Sequence, residues 1–178
     1  GDTWTYQSLI IAHDIENVTI EGVGTIDGRG GSFPVQSKKK PDKYRDRPYL
    51  LWFANSRNIN ITGIELRNSA MWMQSYIRCD QLKIDGVRIF NHSNLNNDMM
   101  DIDGCRDVII TRVTGDSDDD GITFKSTCDR MSENIIVSDC LLSSHCNALK
   151  FGTETTAGFK NVAISNCVIR RSSASTVN

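Results

Sequence analysis

The chain has 178 residues, 39% of them apolar, and a formal net charge of −2. That length suits one domain with a sizeable core, and the near-neutral balance gives no reason to expect a nucleic-acid partner. No apolar run approaches the ~20 residues of a membrane-spanning helix, so no membrane association is expected. The chain opens at Gly1 with neither an initiator Met nor a secretion leader, and is read as a single domain over 1–178, part of a longer protein.

Taken from the N-terminus, six short runs share one pattern: "NVTIEGV" from Asn17, "NINITGIEL" from Asn58, "QLKIDGVRI" from Gln81, "DVIITRV" from Asp107, "NIIVSDCLL" from Asn134 and "NVAISNCVI" from Asn161. They are β-branched, alternate with period two, and are broken by Asn, Gly, Asp and Ser, which predicts strands. Their second residues, Val18, Ile59, Leu82, Val108, Ile135 and Val162, lie 41, 23, 26, 27 and 27 residues apart. A repeat of this size predicts a stacked solenoid. One coil of about 25 residues holds three short strands and their turns, each about 4.8 Å above the last. The expected fold class is therefore all-β: a parallel β-helix with Ile, Val and Leu filling a narrow core.

The long first gap holds an inserted loop over 29–48, marked by Gly, Pro and charge. Its Lys38, Lys39, Lys40, Lys43, Arg45 and Arg47 outnumber Asp42 and Asp46. Such a loop is either simply solvated or leans over a groove and attracts an acidic polymer.

Further along, "TGDSDDDGITFKS" (114–126) crowds four aspartates into five positions. Asp116, Asp118, Asp120 and Gly121 spell the opening of an EF-hand loop, but position 12 falls on Thr127, where a bidentate Glu is needed. The flanks also read as strands, so an EF-hand is not expected. The run "GITFKS" aligns with "MMDID" one coil earlier and "ALKFG" one coil later. Ile122 and Phe124 then point inward, Thr123 and Lys125 outward, and Asp98 stacks on Asp120. His145 falls close to Asp118 and Asp119. Three carboxylates and an imidazole thus converge, and repulsion among Asp98, Asp119 and Asp120 is expected to raise at least one pKa, as a general acid requires. Two carboxyl groups flanking a glycosidic bond are what glycoside hydrolysis needs.

At these residues the sequence resembles glycoside hydrolase family 28, the polygalacturonase family of pectin-degrading enzymes. "NVTIEGVGTIDGRG" (17–30) is similar to the family's opening coil, and Asn68, Ser69 and Trp72 occupy its N-S-x-x-W positions. The N-T-D motif appears as Asn96-Asn97-Asp98, followed by Asp101 where an Asp is usual; the D-D motif as Asp119-Asp120; the G-H-G motif as Ser144-His145-Cys146, leading to "FGTE" (151–154). The resemblance implies a right-handed β-helix and hydrolysis with inversion. It makes Asp119 the general acid and gives Asp98 and Asp120 the attacking water. His145 would tune the acid or bind substrate, and Asn96 would bind substrate. It implies no metal or cofactor, a pectin-type polysaccharide partner, and an extracellular or periplasmic location. The family's downstream Arg-x-Lys, which grips the substrate carboxylate, is missing, and Lys125 and Lys150 are candidates for that work. "HCNALKFG" is one residue longer than usual, which predicts a bulge at His145.

Trp72 and Trp52 could each offer a sugar-stacking face or pack on the solenoid; Trp72 is carried as a substrate-binding candidate. His13 and His92 receive no role, nor do Asp116 and Asp118. Cys79 and Cys105, 26 apart, and Cys140 and Cys167, 27 apart, are expected as stacked reduced thiols. Two other readings stay open: a calcium-dependent β-helix lyase or epimerase, and a non-catalytic carbohydrate-binding module.

Overall fold

The computed structural model describes residues 7–35, 46–173 and 175–177. Its strands stack into three parallel sheets of seven, six and six strands: each of six coils gives one strand to every sheet, and Ser175–Val177 adds the seventh to the first sheet. The expected register holds: Val18 pairs with Ile59, Ile59 with Leu82, Leu82 with Val108, Val108 with Ile135 and Ile135 with Val162. Among the described residues no helix is long and apolar enough to cross a membrane.

The polar residue that opens each repeat has a backbone reason. Asn17, Asn58, Gln81, Asp107, Asn134 and Asn161 all have φ between 53° and 62°. Few side chains other than Asn and Asp tolerate that left-handed conformation. Stacked in register, they bond along the solenoid: Asn58 Nδ2 donates to Asn17 Oδ1 at 2.7 Å, Asn134 Nδ2 to Asp107 Oδ1 and Asn161 Nδ2 to Asn134 Oδ1, both at 2.9 Å.

Inside, Ile59, Ile61, Leu66, Ile84, Ile102, Val108, Ile110, Phe124 and Val137 form one continuous, fully buried column. Cys79 and Cys105 stack within it, the Cys79 amide donating to Cys105 Sγ at 3.4 Å, and all six cysteines are free thiols. The outward face of the seven-stranded sheet departs from expectation. Its in-register rows run Trp52, Ser75, Asp101, Thr123, Lys150 and Ala54, Ile77, Asp103, Lys125. Thr123 and Lys125 do point away from the core, yet both are buried, as are Asp101 and Ser75. Long side chains lie over this face: Lys125 Nζ sits 5.1 Å from the Trp72 ring centre and 2.8 Å from Glu154.

Two expectations change. The bulge is not at His145: Ser117 pairs with Ser144 and Ile122 with Leu149, both 27 apart, so the turn between them gains nothing. The extra residues fall two positions after Phe124, where Ser126 pairs with Thr155 rather than Thr153. That excursion carries Glu154 to Lys125. In the 29–48 loop, Lys38, Lys39, Lys40, Asp42, Lys43 and Arg45 lie outside the described residues. Arg47 is not a solvated cation: it is 1% exposed and donates to Ala70 O, Leu95 O, Asn94 Oδ1 and Asn96 Oδ1. A guanidinium can be buried there because carbonyl and amide oxygens satisfy its donors.

Candidate active site

The acidic turn links strand Thr114–Ser117 to strand Ile122–Ser126, so its flanks are strands as the sequence indicated. Thr127, at the failed EF-hand position, instead caps Asp103, donating its amide to Asp103 Oδ1 at 2.8 Å. Hydroxyls hold the turn from its own coil and from the next. Ser117 Oγ donates to the carbonyls of Asp119 at 2.9 Å and Asp120 at 3.2 Å, and Ser144 Oγ to that of Asp119 at 2.6 Å. Gly121 closes the turn because a Cβ there would lie 2.3 Å from the Ala148 carbonyl oxygen.

This explains two sequence departures. Ser144, in place of the usual glycine, supplies the hydroxyl that anchors Asp119. Asn97, in place of Thr, donates to the carbonyls of Ser69 at 2.9 Å and Met71 at 3.0 Å and accepts from the Asn94 amide at 2.6 Å. A threonine hydroxyl has one proton and cannot make all three bonds.

The backbone rungs from Met99 N to Asp120 O (2.9 Å) and from Gly121 N to Asn147 O (2.7 Å) stack Asp98, Asp120 and Asn147 in successive coils. Both oxygens of Asp120 accept hydrogen bonds. Its Oδ1 accepts from Asn147 Nδ2 at 2.9 Å and its Oδ2 from Lys150 Nζ at 2.6 Å. Burial opposes the charge on Lys150, but the bond to Asp120 wins and its pKa is raised. Asp119 is half-buried and accepts from Asn96 Nδ2 at 3.1 Å, while Arg47 donates to Asn96 Oδ1 at 3.2 Å. Arg47, Asn96 and Asp119 thus form a hydrogen-bonded chain from the buried Arg47 to the half-buried Asp119.

Asp98 and Asp101 have pKa values pushed well above the ordinary carboxylate range. Burial is the largest cause in both. Carboxylate repulsion, the cause expected from sequence, comes second for Asp98. For Asp101, Lys125 pulls back against burial. Asp98 Oδ1, both oxygens of Asp101 and Thr123 Oγ1 are buried without a hydrogen-bond partner among the described residues. A buried carboxyl with no donor favours its neutral form.

The remaining candidates are placed differently from one another. Lys125 is buried 4.0 Å from Asp101 and 2.8 Å from Glu154, which together outweigh desolvation and raise its pKa. Both lysines therefore already face carboxylates. Trp72 is 7% exposed, against Tyr49 (ring centres 6.0 Å) on one side and Lys125 on another, so it does not present an open stacking face. Trp52 is likewise buried and stacks on His13. His145 is exposed, and its Nδ1 lies 3.1 Å from Asp118 Oδ1. Among the described residues, possible ligand atoms lie within 4.8 Å of one another in each of two groups: His92, Asp118 and His145, and Asp119, Asp120 and Cys146. Burial, then Asp120, pushes the Cys146 thiol up to about 12.

Arg47 was expected only as one cation of the inserted loop and Glu154 only as the end of the "FGTE" run, while His92 received no role although it precedes Asp118 by 26 residues, one coil.

The sequence model of the Glycosyl hydrolases family 28 matches residues 1–176. The chain belongs to that family. Among relatives of this family 28 chain, a probable polygalacturonase of Vitis vinifera is 28% identical over 173 residues, which cover 92% of the chain and 35% of the relative. The endo-xylogalacturonan hydrolase A of Aspergillus tubingensis is 24% identical, covering 94% and 43%. The polygalacturonase of Erwinia carotovora ssp. carotovora shares the fold, with a TM-score of 0.78 at 23% identity over 90% of this chain and 45% of that one. The exopolygalacturonase of Thermotoga maritima gives 0.66 at 26% identity, over 78% and 34%. The chain thus spans between a third and a half of the length of these proteins.

Proposed function

We propose that this chain forms the catalytic region of an inverting hydrolase that cleaves pectic, galacturonate-type polysaccharide. The observation that carries the reading is the convergence of Asp98, Asp119 and Asp120 from two successive coils, with burial favouring the protonated form of Asp98 and Lys150 paired with the Asp120 carboxylate. Asp119, the most accessible of the three, delivers its proton to the glycosidic oxygen as the bond from that oxygen to the anomeric carbon breaks. Water held between Asp98 and Asp120 attacks the carbon from the opposite side, and its proton passes to Asp120. Asn96 orients Asp119, and His145 stands in the next coil along. Proton donation and water activation on opposite faces of the sugar produce inversion. A polymeric substrate of this class places the enzyme outside the cytoplasm.

The test is turnover of polygalacturonate by the full-length protein, with the first-formed product anomer followed by NMR. We expect the inverted anomer, and a loss of several orders of magnitude in kcat for Asp119→Asn and Asp98→Asn with far-UV circular dichroism unchanged. Unsaturated products absorbing in the ultraviolet, together with abolition by EDTA, would establish a lyase instead. Full polymer affinity with no turnover in any variant or in the wild type would leave a binding module.

A further inference from the structure

The hydrolytic reading leaves Asp116, Asp118 and His92 without work, and the coil repeat brings all three to one place. Asn91, Ser117 and Ser144 are in register in the third sheet. The residues that follow continue the stack: the Asp118 amide donates to Asn91 O and the His145 amide to Ser117 O, both at 2.9 Å. His92, Asp118 and His145 therefore form a vertical His–Asp–His column across three coils, held by backbone rungs.

The side chains converge. Asp118 Oδ1 lies 3.1 Å from His145 Nδ1 and 4.0 Å from His92 Nδ1. The two imidazoles meet edge to face, ring centres 4.8 Å apart. On the far side of His92, Nε2 lies 3.0 Å from Asp116 Oδ1, which also accepts from Arg171 at 3.2 Å. A carboxylate against Nε2 draws the proton of a neutral imidazole to that nitrogen. The other ring nitrogen, Nδ1, then carries no proton and lies 4.0 Å from Asp118 Oδ1. His145 Nδ1 and Asp118 Oδ1 stand at a separation that fits either one shared proton or one cation bridging the two atoms, and all three potential ligand atoms lie within 4.8 Å of one another.

We infer that His92, Asp118 and His145 bind one divalent transition-metal cation of the Zn2+ type, with Asp116 orienting His92 from behind. Two imidazole nitrogens and one carboxylate suit Zn2+, Co2+ or Ni2+, whereas Ca2+ and Mg2+ call for oxygen throughout. A carboxylate behind a ligating histidine is the usual support for such a site. The fourth position would be taken by water.

The test uses the full-length protein in a Cys146→Ser background, which removes the only thiol of the neighbouring Asp119–Asp120–Cys146 group. After treatment with EDTA and dialysis, Co2+ is titrated and followed by visible absorption. We expect one equivalent bound with bands of nitrogen and oxygen coordination, displaced by Zn2+, and an upward shift in Tm. His92→Gln should abolish the bands and the Tm shift. Asp116→Asn should weaken Co2+ about 10- to 100-fold. The metal-free Tm of each variant, compared with its parent, separates lost binding from lost folding. Equal Co2+ affinity in the parent and in a folded His92→Gln would overturn the inference, as would absence of Co2+ binding by the folded parent.

Discussion

Asp101 is 1% exposed, neither of its oxygens has a hydrogen-bond partner among the described residues, and the Lys125 ammonium is 4.0 Å away. Burial raises its pKa well above that of the unfolded chain, about 3.9. Between the unfolded and folded pKa values the native state holds a proton that the unfolded state has released. Stability therefore falls with rising pH: the contribution is complete below about pH 3.9 and is lost as pH climbs through the folded value. One such proton gives a slope of about 1.4 kcal/mol per pH unit. Asp98 adds a second, and Asp101 is among the causes that raise its pKa. In Asp101→Asn one titrating group is gone and the repulsion on Asp98 is relieved. The slope just above pH 4.5 should therefore flatten by about 1.4 kcal/mol per unit. The absolute stability also registers the loss of the Lys125 contact, so the slope is the quantity to compare. Urea denaturation of wild type and variant at half-unit intervals from pH 4.5 to 6 measures it. Equal slopes would show that Asp101 ionises in the folded protein as it does in the unfolded chain, and the burial argument would fail.

Lys150→Met removes the cation 2.6 Å from Asp120 while keeping the length of the stem. A hydrogen bond to a charged group contributes about 1.5–3 kcal/mol, so kcat on polygalacturonate should fall about 10- to 100-fold with little change in KM. Arg47→Met strands several buried oxygens at once and should cost about 3 kcal/mol or more in urea denaturation. It should also lower activity through Asn96; a change in stability without any loss of activity would break the proposed chain to Asp119. Asn134→Ala loses a left-handed residue, at φ 58°, together with two bonds of the asparagine ladder. It should lower stability by about 1–2 kcal/mol, and Asn134→Gly should recover the backbone part. Equal losses in both would place the whole effect in the side-chain bonds.

The sequence by itself determined whatever the period carries. In a solenoid, a residue one coil along the chain is a neighbour one strand along the sheet, so separations of 23 to 27 residues convert directly into contacts. Strand type, the register from Val18 to Val162, the stacking of Asp98 on Asp120 and the approach of His145 to Asp118 all followed from this. The His92–Asp118–His145 column has the same spacing and was equally readable, but lone histidines on turns gave no reason to align them.

Only the tertiary structure decided what long side chains and irregular segments do. The two-residue excursion after Phe151 breaks the period and delivers Glu154 to Lys125. Arg47 comes from an insertion with no counterpart in other coils and ends buried beneath Asn96. The outward row of the seven-stranded sheet alternates in sequence like a solvent-facing one, yet Trp72 and Lys125 lie over it. Burial raises the pKa of Asp98 and Asp101, and the charge of Lys125 opposes that rise. Alternation specifies which side of a strand a residue occupies. Whether that side is wet depends on side chains reaching in from other coils, and a local pattern carries no record of them.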